Sequence, residues 1–433
     1  MNLLRNTINY FYQNIPRLFY ITFFLIRIPP VYLPFSILKL LTIHILYRIL
    51  LALLFLVIIL KKNNPLIKPT PIVLLFFIFF IVQSLSVISA TNLVVFISQY
   101  EKLVVSGIFF LVAIAVSKID KVNFNKNILK VFIISTCFNL LLELIIYFGQ
   151  SSSLNVLSKF IHSGVIGIVE MNLKRNRLYF DYYDEIILPI LVAYFVYKNR
   201  KDRWSLAGLI LGQIIVVIAF ISNIRSRLVM LFFSYIYAML LIAKKHLRLA
   251  LVIIGLNIIL VGALHFYISS YQGYSIFNRI LLEDEREDVL TIDFRKKMIE
   301  RAYDIGNNSI LGVGLGNFYE YVPTNLKNQT FSLTANRRQE YFPSLLYPHN
   351  WLAQNYAEMG LVGGIVSLIM VMFFIVTDLK LLRKSSTIEQ RACIGTFWSL
   401  MIYAFLNPIA PLTFYANFWI LRIIIANTKS SYS

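Results

Sequence analysis

The stretch from Leu361 to Val376 reads LVGGIVSLIMVMFFIV and holds no charged residue; Thr377, Asp378, Leu379 and Lys380 follow at once. Taken from Glu358 to Asp378, it reaches the ~20 apolar residues a helix needs to cross a hydrocarbon core. Similar runs recur along nearly the whole chain. They predict about twelve helices, at roughly 18–36, 41–60, 71–88, 103–118, 128–149, 183–199, 205–222, 227–243, 248–267, 358–378, 391–406 and 409–427. The first two are interrupted by Arg27, Lys39, His44 and Arg48 and by Pro29, Pro30 and Pro34. The first lacks a small-residue cleavage site after it and reads as a retained helix, not a signal peptide.

Composition agrees. Of 433 residues 58% are hydrophobic and 14% charged, with mean hydropathy +0.71, where soluble domains are about a quarter charged. A soluble globular enzyme is excluded, and the fold class is all-α, a polytopic membrane protein with one large outer loop. Cys137 and Cys393 both lie in apolar runs, too few for a disulfide framework or a cysteine metal cluster.

The 41 Lys and Arg against 21 Asp and Glu give a net charge of +20. In a soluble chain that would suggest nucleic acid; here the charges sit in alternate short connections. Lys61, Lys62 and Lys68 mark one, Lys118, Lys121 and Lys126 the next, then Lys198, Arg200, Lys201 and Arg203, then Lys244, Lys245 and Arg248, and last Lys380, Arg383, Lys384 and Arg391. Cytoplasmic loops are enriched in these residues, so both termini are predicted in the cytoplasm. Residues 1–267 form helices one to nine, 268–357 the large outer loop, and 358–433 helices ten to twelve. The basic residues have no fold or motif to present them to a groove, and nucleic acid is not an expected partner.

Two outer connections depart from the pattern. One holds Lys174, Arg175 and Arg177; the other is the turn Ser222-Asn223-Ile224-Arg225-Ser226-Arg227. Such arginines either snorkel to lipid phosphates or hold an anionic substrate, since the guanidinium fork grips phosphate through two parallel bonds. Within the outer segment, Glu283 to Asp288 is acidic without calcium-loop spacing and reads as a solvated face. Phe294 to Tyr303 has helical spacing of charged and apolar residues. Ile310-Leu311-Gly312-Val313-Gly314-Leu315-Gly316-Asn317-Phe318 lacks the Lys-Ser/Thr of a P-loop and a βαβ context, so it reads as a glycine turn pressed against the membrane helices and no cofactor is expected. His349 follows Pro348 at the start of the tenth helix, beside Asn350; of the five histidines it alone shares the outer face with the arginines. Glu143, mid-helix, is an intramembrane acid, read as either a functional group or a hydrogen-bonded packing residue.

An SR turn opening a membrane helix, an arginine-headed helix followed by LGVGLGNF, and PHNWLAQNYAEMGLVGG from Pro348 to Gly364 together resemble the O-antigen ligase and O-antigen polymerase superfamily of bacterial envelope glycan assembly. The motifs cover about residues 170 to 378. The resemblance implies a metal-independent glycosyl transferase of the bacterial inner membrane. It would take a glycan from a polyprenyl-diphosphate carrier and attach it to a lipid A core or similar acceptor, or, as a polymerase, to another carrier-linked unit. It implies His349 as general base, Arg295 and either Arg225 or Arg227 as diphosphate ligands, and Arg177 as a further one, although Asp181-Tyr182-Tyr183-Asp184 stands where the family commonly has Pro-Asn. Asn350 and Glu358 would support the site.

The chemistry suits these residue types. Departure of a diphosphate needs its charge neutralised, which arginines can do without a metal ion, and the acceptor hydroxyl must lose a proton to a group titrating near neutrality. A lipid-linked glycan flippase would also be basic and polytopic, but transporters show paired halves and broken helices at the midplane, and no internal repeat is seen. The orientation is testable. In a chain with Cys137 and Cys393 replaced by alanine, Ser332→Cys should react with an impermeant thiol reagent in intact cells and Ser386→Cys should not; labelling of both or neither would overturn the topology.

Overall fold

The computed structural model describes residues 2–29, 43–60, 70–157, 183–198, 203–222, 225–272, 285–327, 347–383, 386–407, 409 and 411–427, and among them every regular element is helical. In chain order these are α1 (Asn2–Arg27), α2 (Ile43–Leu60), α3 (Pro71–Leu85), α4 (Leu93–Ile119), α5 (Phe124–Leu157), the single turn α6 (Leu188–Leu191), α7 (Arg203–Ile221), α8 (Arg225–Gln272), α9 (Glu285–Asn307), α10 (Trp351–Arg383), α11 (Ile388–Leu406) and α12 (Pro411–Asn427). Six stretches among the described residues are long and apolar enough to cross a membrane: Pro71–Ser89, Leu93–Ile119, Phe124–Ile146, Ser226–Lys244, His246–Tyr267 and Trp351–Arg383. Ile45–Leu60, Leu206–Ile221 and Pro411–Ala426 are shorter apolar helices. The all-α, polytopic membrane class is what the sequence predicts.

Several boundaries differ from expectation for local reasons. α1 ends at Arg27 instead of continuing to about residue 36, because Pro29 and Pro30 follow and the residue ahead of a proline is pushed out of the helical region. The two helices expected on either side of residue 246 are both present within α8, as Ser226–Lys244 and His246–Tyr267, and meet at a break at His246 (φ −141°, ψ 61°). The span expected over 183–199 is a composite of a 3-10 turn at Asp184–Ile187, α6 with Pro189 in its first turn, and a π-helical turn at Val192–Lys198. α11 opens on a capping box, Thr387 and Gln390 satisfying each other's backbone N–H.

Lipid is as apolar as leucine, so close packing and polar pairing hold these helices together. α4 lies against α12, where Phe110 meets Trp419 at 4.9 Å between ring centroids, and Phe76 of α3 joins the aromatic cluster at 4.3 Å from Phe110. By contrast only 17% of the His246–Tyr267 span is buried within the molecule, leaving Leu251, Leu256 and Ile259 to face lipid.

The feature that shapes one end of the bundle is a break in α10. Gly360 has φ +66° and ψ −161°, a region open essentially to glycine alone. The break frees the carbonyls of Ala357 and Glu358 and the N–H groups of Leu361 and Val362 from their helical partners. The glycine strip 309–314 takes up all four. Val313 and Gly314 donate to Ala357 and Glu358 at 3.1 and 2.9 Å, and Leu361 and Val362 donate to Ser309 and Ile310 at 3.2 and 3.3 Å. A Cβ at Gly360 would overlap the backbone of Ser309, Ile310 and Gly312, and one at Gly312 (φ +74°) would overlap that of Glu358 and Gly360. Gly360→Ala should therefore cost at least about 1–3 kcal/mol from backbone strain alone, measured as a lowered temperature of thermal inactivation in detergent. Gly255→Ala, whose methyl meets open space within a helix, serves as the control and should not lower that temperature.

Candidate active site

The glycine strip is pinned on its other side as well. Ser89 donates to the Leu311 carbonyl at 3.2 Å, and the buried Asn317 accepts from the Asn92 backbone N–H at 2.8 Å and from the Thr91 hydroxyl at 3.3 Å. The α3–α4 connection and the broken start of α10 thus hold the strip between them.

α9 rests on the same platform. Its Phe294, Met298, Ala302 and Ile305 recur at helical spacing and form a small core with Val313, Phe318, Val322, Ala353 and Ala357. The alanines of α10 let the helices approach closely, and Arg301 Nε donates to the Tyr321 carbonyl at 3.1 Å. Arg295, one residue after Phe294, is thereby held half-buried at the side of the α10 N-terminus.

His349 lies just before that N-terminus, 6% exposed. Asn350 is the N-cap: its Oδ1 accepts from Ala353 N–H at 3.0 Å, while its Nδ2 reaches the Phe405 carbonyl at the end of α11, at 3.2 Å. Trp351 is buried and donates from Nε1 to the Tyr415 hydroxyl at 3.2 Å. Glu358, also buried, accepts from Gln354 Nε2 at 3.3 Å and from the Gly316 N–H, tying α10 once more to the strip. The backbone on both sides of His349 is thus fixed, yet among the described residues neither nitrogen of its imidazole has a hydrogen-bond partner. A buried polar ring with both nitrogens unused is costly unless something else engages it.

The near-neutral imidazole expected from sequence needs correction. Burial first, and the Arg295 guanidinium second, push its pKa down from 6.5 to about 3. The ring keeps its acceptor lone pair through the whole physiological range, and the effect of Arg295 shows that the two residues share one electrostatic site. The acid limb of kcat/KM, which reports the free enzyme, should lie well below pH 6.5 and move upward in Arg295→Ala; an acid limb near 6.5 in both would contradict the arrangement. Because the folded pKa is the lower one, protons bind the unfolded chain more readily between about pH 6.5 and 3, and stability falls as pH drops through that window.

The other predicted residues fall elsewhere. Arg177 lies outside the described residues. Arg225 begins α8. Arg227 is buried: its Nη1 and Nη2 donate to Glu143 Oε1 and Oε2 at 3.1 and 3.2 Å, and Nε donates to Glu185 Oε1. Sequence reading singled out Glu143 but missed Glu185 and missed Arg227 as its counter-ion. It also missed the adjoining pair of Arg27 with Asp184 at 3.4 Å, held by Thr136, Asn139 and Asn417. A third buried pair, Arg422 on Asp378 at 2.7 Å, carries the guanidinium over Phe374 and Phe397. The available signal was the rule that charges inside a membrane come in pairs, but it does not say which residues pair. Removing one member of such a pair costs about 3–5 kcal/mol. Among the described residues no three His, Cys, Asp or Glu side chains are arranged to hold a metal ion.

Residues 210–368 match the family described as O-antigen ligase. The match takes in the 222–227 turn, α8, α9, the glycine strip, His349 and the broken start of α10. No curated protein matches the chain.

Proposed function

We propose, from the match of residues 210–368 to the O-antigen ligase family, that this chain is a membrane glycan ligase of the bacterial inner membrane. It transfers a glycan from a polyprenyl-diphosphate carrier to an acceptor hydroxyl, on a lipid A core or similar glycolipid, at the outer face. The observation that carries this reading is His349, buried beside Arg295 on a fixed platform, with neither ring nitrogen hydrogen-bonded among the described residues.

In the proposed reaction His349 accepts the proton of the acceptor hydroxyl as the oxygen attacks the anomeric carbon. The bond from that carbon to the carrier diphosphate breaks, and the electron pair leaves with the diphosphate. Arg295 and the arginine turn at 222–227 neutralise its charge, supplying permanently what a divalent cation supplies elsewhere, because guanidinium does not titrate near neutral pH. When the diphosphate docks on Arg295 it offsets the charge that depresses the imidazole, so the base strengthens as the donor arrives. No cofactor or metal takes part in this scheme.

The test is transfer by purified protein from a polyprenyl-diphosphate glycan, with and without a lipid A core acceptor. His349→Ala should lose roughly 10²-fold or more of the activity with its fold intact, and wild-type turnover should survive EDTA. Glycan appearing on the core supports the ligase; lengthened carrier-linked glycan without any core product would make it the polymerase of the same superfamily. Turnover abolished by chelator and restored by Mg²⁺ or Mn²⁺ would sink the arginine scheme.

A further inference from the structure

Glu143 stands out in the sequence as an intramembrane acid, and the transfer scheme leaves it without a task. In the fold it belongs to a buried cluster whose charges do not balance. Arg27 stands against Asp184 at 3.4 Å, and Arg227 from α8 stands against both Glu143 from α5 and Glu185. None of the five side chains is more than 3% exposed. Two guanidinium groups thus face three carboxyls, and full ionisation would leave one negative charge uncompensated away from water. Among the described residues the surroundings add no further cation. α7 and α11 also pack on the Asp184–Ile187 turn. Their charged residues are Arg203, Glu389 and Arg391, which start those helices, whereas the turn meets the other ends, where α7 stops at Ile221 and Tyr403 of α11 touches Tyr183.

The two glutamates meet Arg227 differently. Glu143 presents both oxygens, Oε1 to Nη1 at 3.1 Å and Oε2 to Nη2 at 3.2 Å, the two-point seat of an ionised carboxylate. Glu185 meets the guanidinium through Oε1 alone, as a carbonyl oxygen would, which leaves Oε2 as the place for a hydroxyl hydrogen. A metal cation would have to settle against guanidinium N–H groups, whereas a proton needs no room. One turn before Glu143, Asn139 donates from Nδ2 to Asp184 at 3.1 Å and to the Arg27 carbonyl at 3.0 Å, while its buried Oδ1 accepts nothing among the described residues. A carboxyl short of a cation and an acceptor short of a donor thus occur in one cluster, the condition under which a buried acid is neutralised by a proton.

We infer that this cluster is a proton-binding site: Glu185 is held there as the neutral acid, with the hydrogen on Oε2, while Glu143, Asp184 and the two arginines are ionised. The inference does not draw on the ligase reading. Because the cluster joins α1, α5, the 184–187 turn and the start of α8, losing that proton sets an unpaired charge between helices, and the corner acts as a latch that loosens at alkaline pH. The sign follows from counting protons. At neutral pH the folded chain holds one that the unfolded chain, with an ordinary glutamate pKa of about 4.3, has released. The stability this contributes is full below that value and falls as pH rises above it, until the folded chain has lost the proton too.

Infrared spectroscopy of the purified protein at neutral pH tests this, since a protonated carboxyl has a C=O absorption that neither a carboxylate nor an amide shares. The difference between wild type and Glu185→Gln should show one such carboxyl. The difference between wild type and Glu143→Gln should show it as well, because Glu185 left alone with Arg227 ionises. Superimposable spectra of wild type and Glu185→Gln in that region would overturn the inference, and survival of the absorption in Glu143→Gln would overturn the charge balance on which it rests. Thermal inactivation in detergent gives the second readout. Glutamine reproduces the shape of the neutral acid, so Glu185→Gln should be at least as stable as wild type near neutral pH and gain on it as the pH rises. Asp184→Asn, which strips Arg27 of its counter-ion, should instead lower the inactivation temperature. A Glu185→Gln protein that fails to fold, or is destabilised as far as Asp184→Asn, would show that the charge of Glu185 is needed and not its hydrogen, and the inference would fall.

Discussion

Four backbone hydrogen bonds across the break at Gly360 hold the candidate site together. A helix opened in or near hydrocarbon leaves donors and acceptors that no solvent can satisfy, so an irregular backbone survives there only where protein closes it. The strip 309–314 provides that closure, giving two N–H groups and two carbonyls in exchange for the same from α10. Once it is docked, α9 has a surface to pack on, Arg295 acquires a fixed position, and the cap at Asn350 fixes His349. Glycine at both Gly312 and Gly360 is a consequence of the closeness of two backbones.

A second constraint governs the charges. Among the described residues a minority of the basic side chains is buried, and each such guanidinium has found carboxylates: Arg27 with Asp184, Arg227 with Glu143 and Glu185, Arg422 with Asp378. These pairs link helices far apart in sequence and have the same physical origin, the cost of an uncompensated charge away from water. An arginine's sequence position at a membrane boundary therefore does not say whether it serves lipid, substrate or a neighbouring helix.

The site combines a fixed cation with a neutral base. Arg295 on an amphipathic helix and His349 at a helix start come from segments separated by the glycine strip, and the Arg295 charge disfavours protonation of His349. Transfer from a diphosphate carrier asks for such a pair: positive charge where the leaving group departs and a free lone pair where the acceptor proton is released.

The amino-acid sequence by itself determined the class of the protein, because apolar runs of membrane length, Lys and Arg in alternate connections and helical spacing are local properties readable in order along the chain. It also marked His349 and the glycine strip, whose residue types stand out from their surroundings, whereas Arg295, in the basic run Arg295-Lys296-Lys297, was marked only by the family resemblance. What only the tertiary structure decided is where long-range partners meet. Arg227 finds Glu143 across 84 residues and Arg27 finds Asp184 across 157, and no local pattern encodes such a pairing. The depressed imidazole is of the same kind. Desolvation depends on everything packed around a group, and the elements enclosing His349 are brought there by the fold, so the chain's order could name the residue but not the state in which it waits.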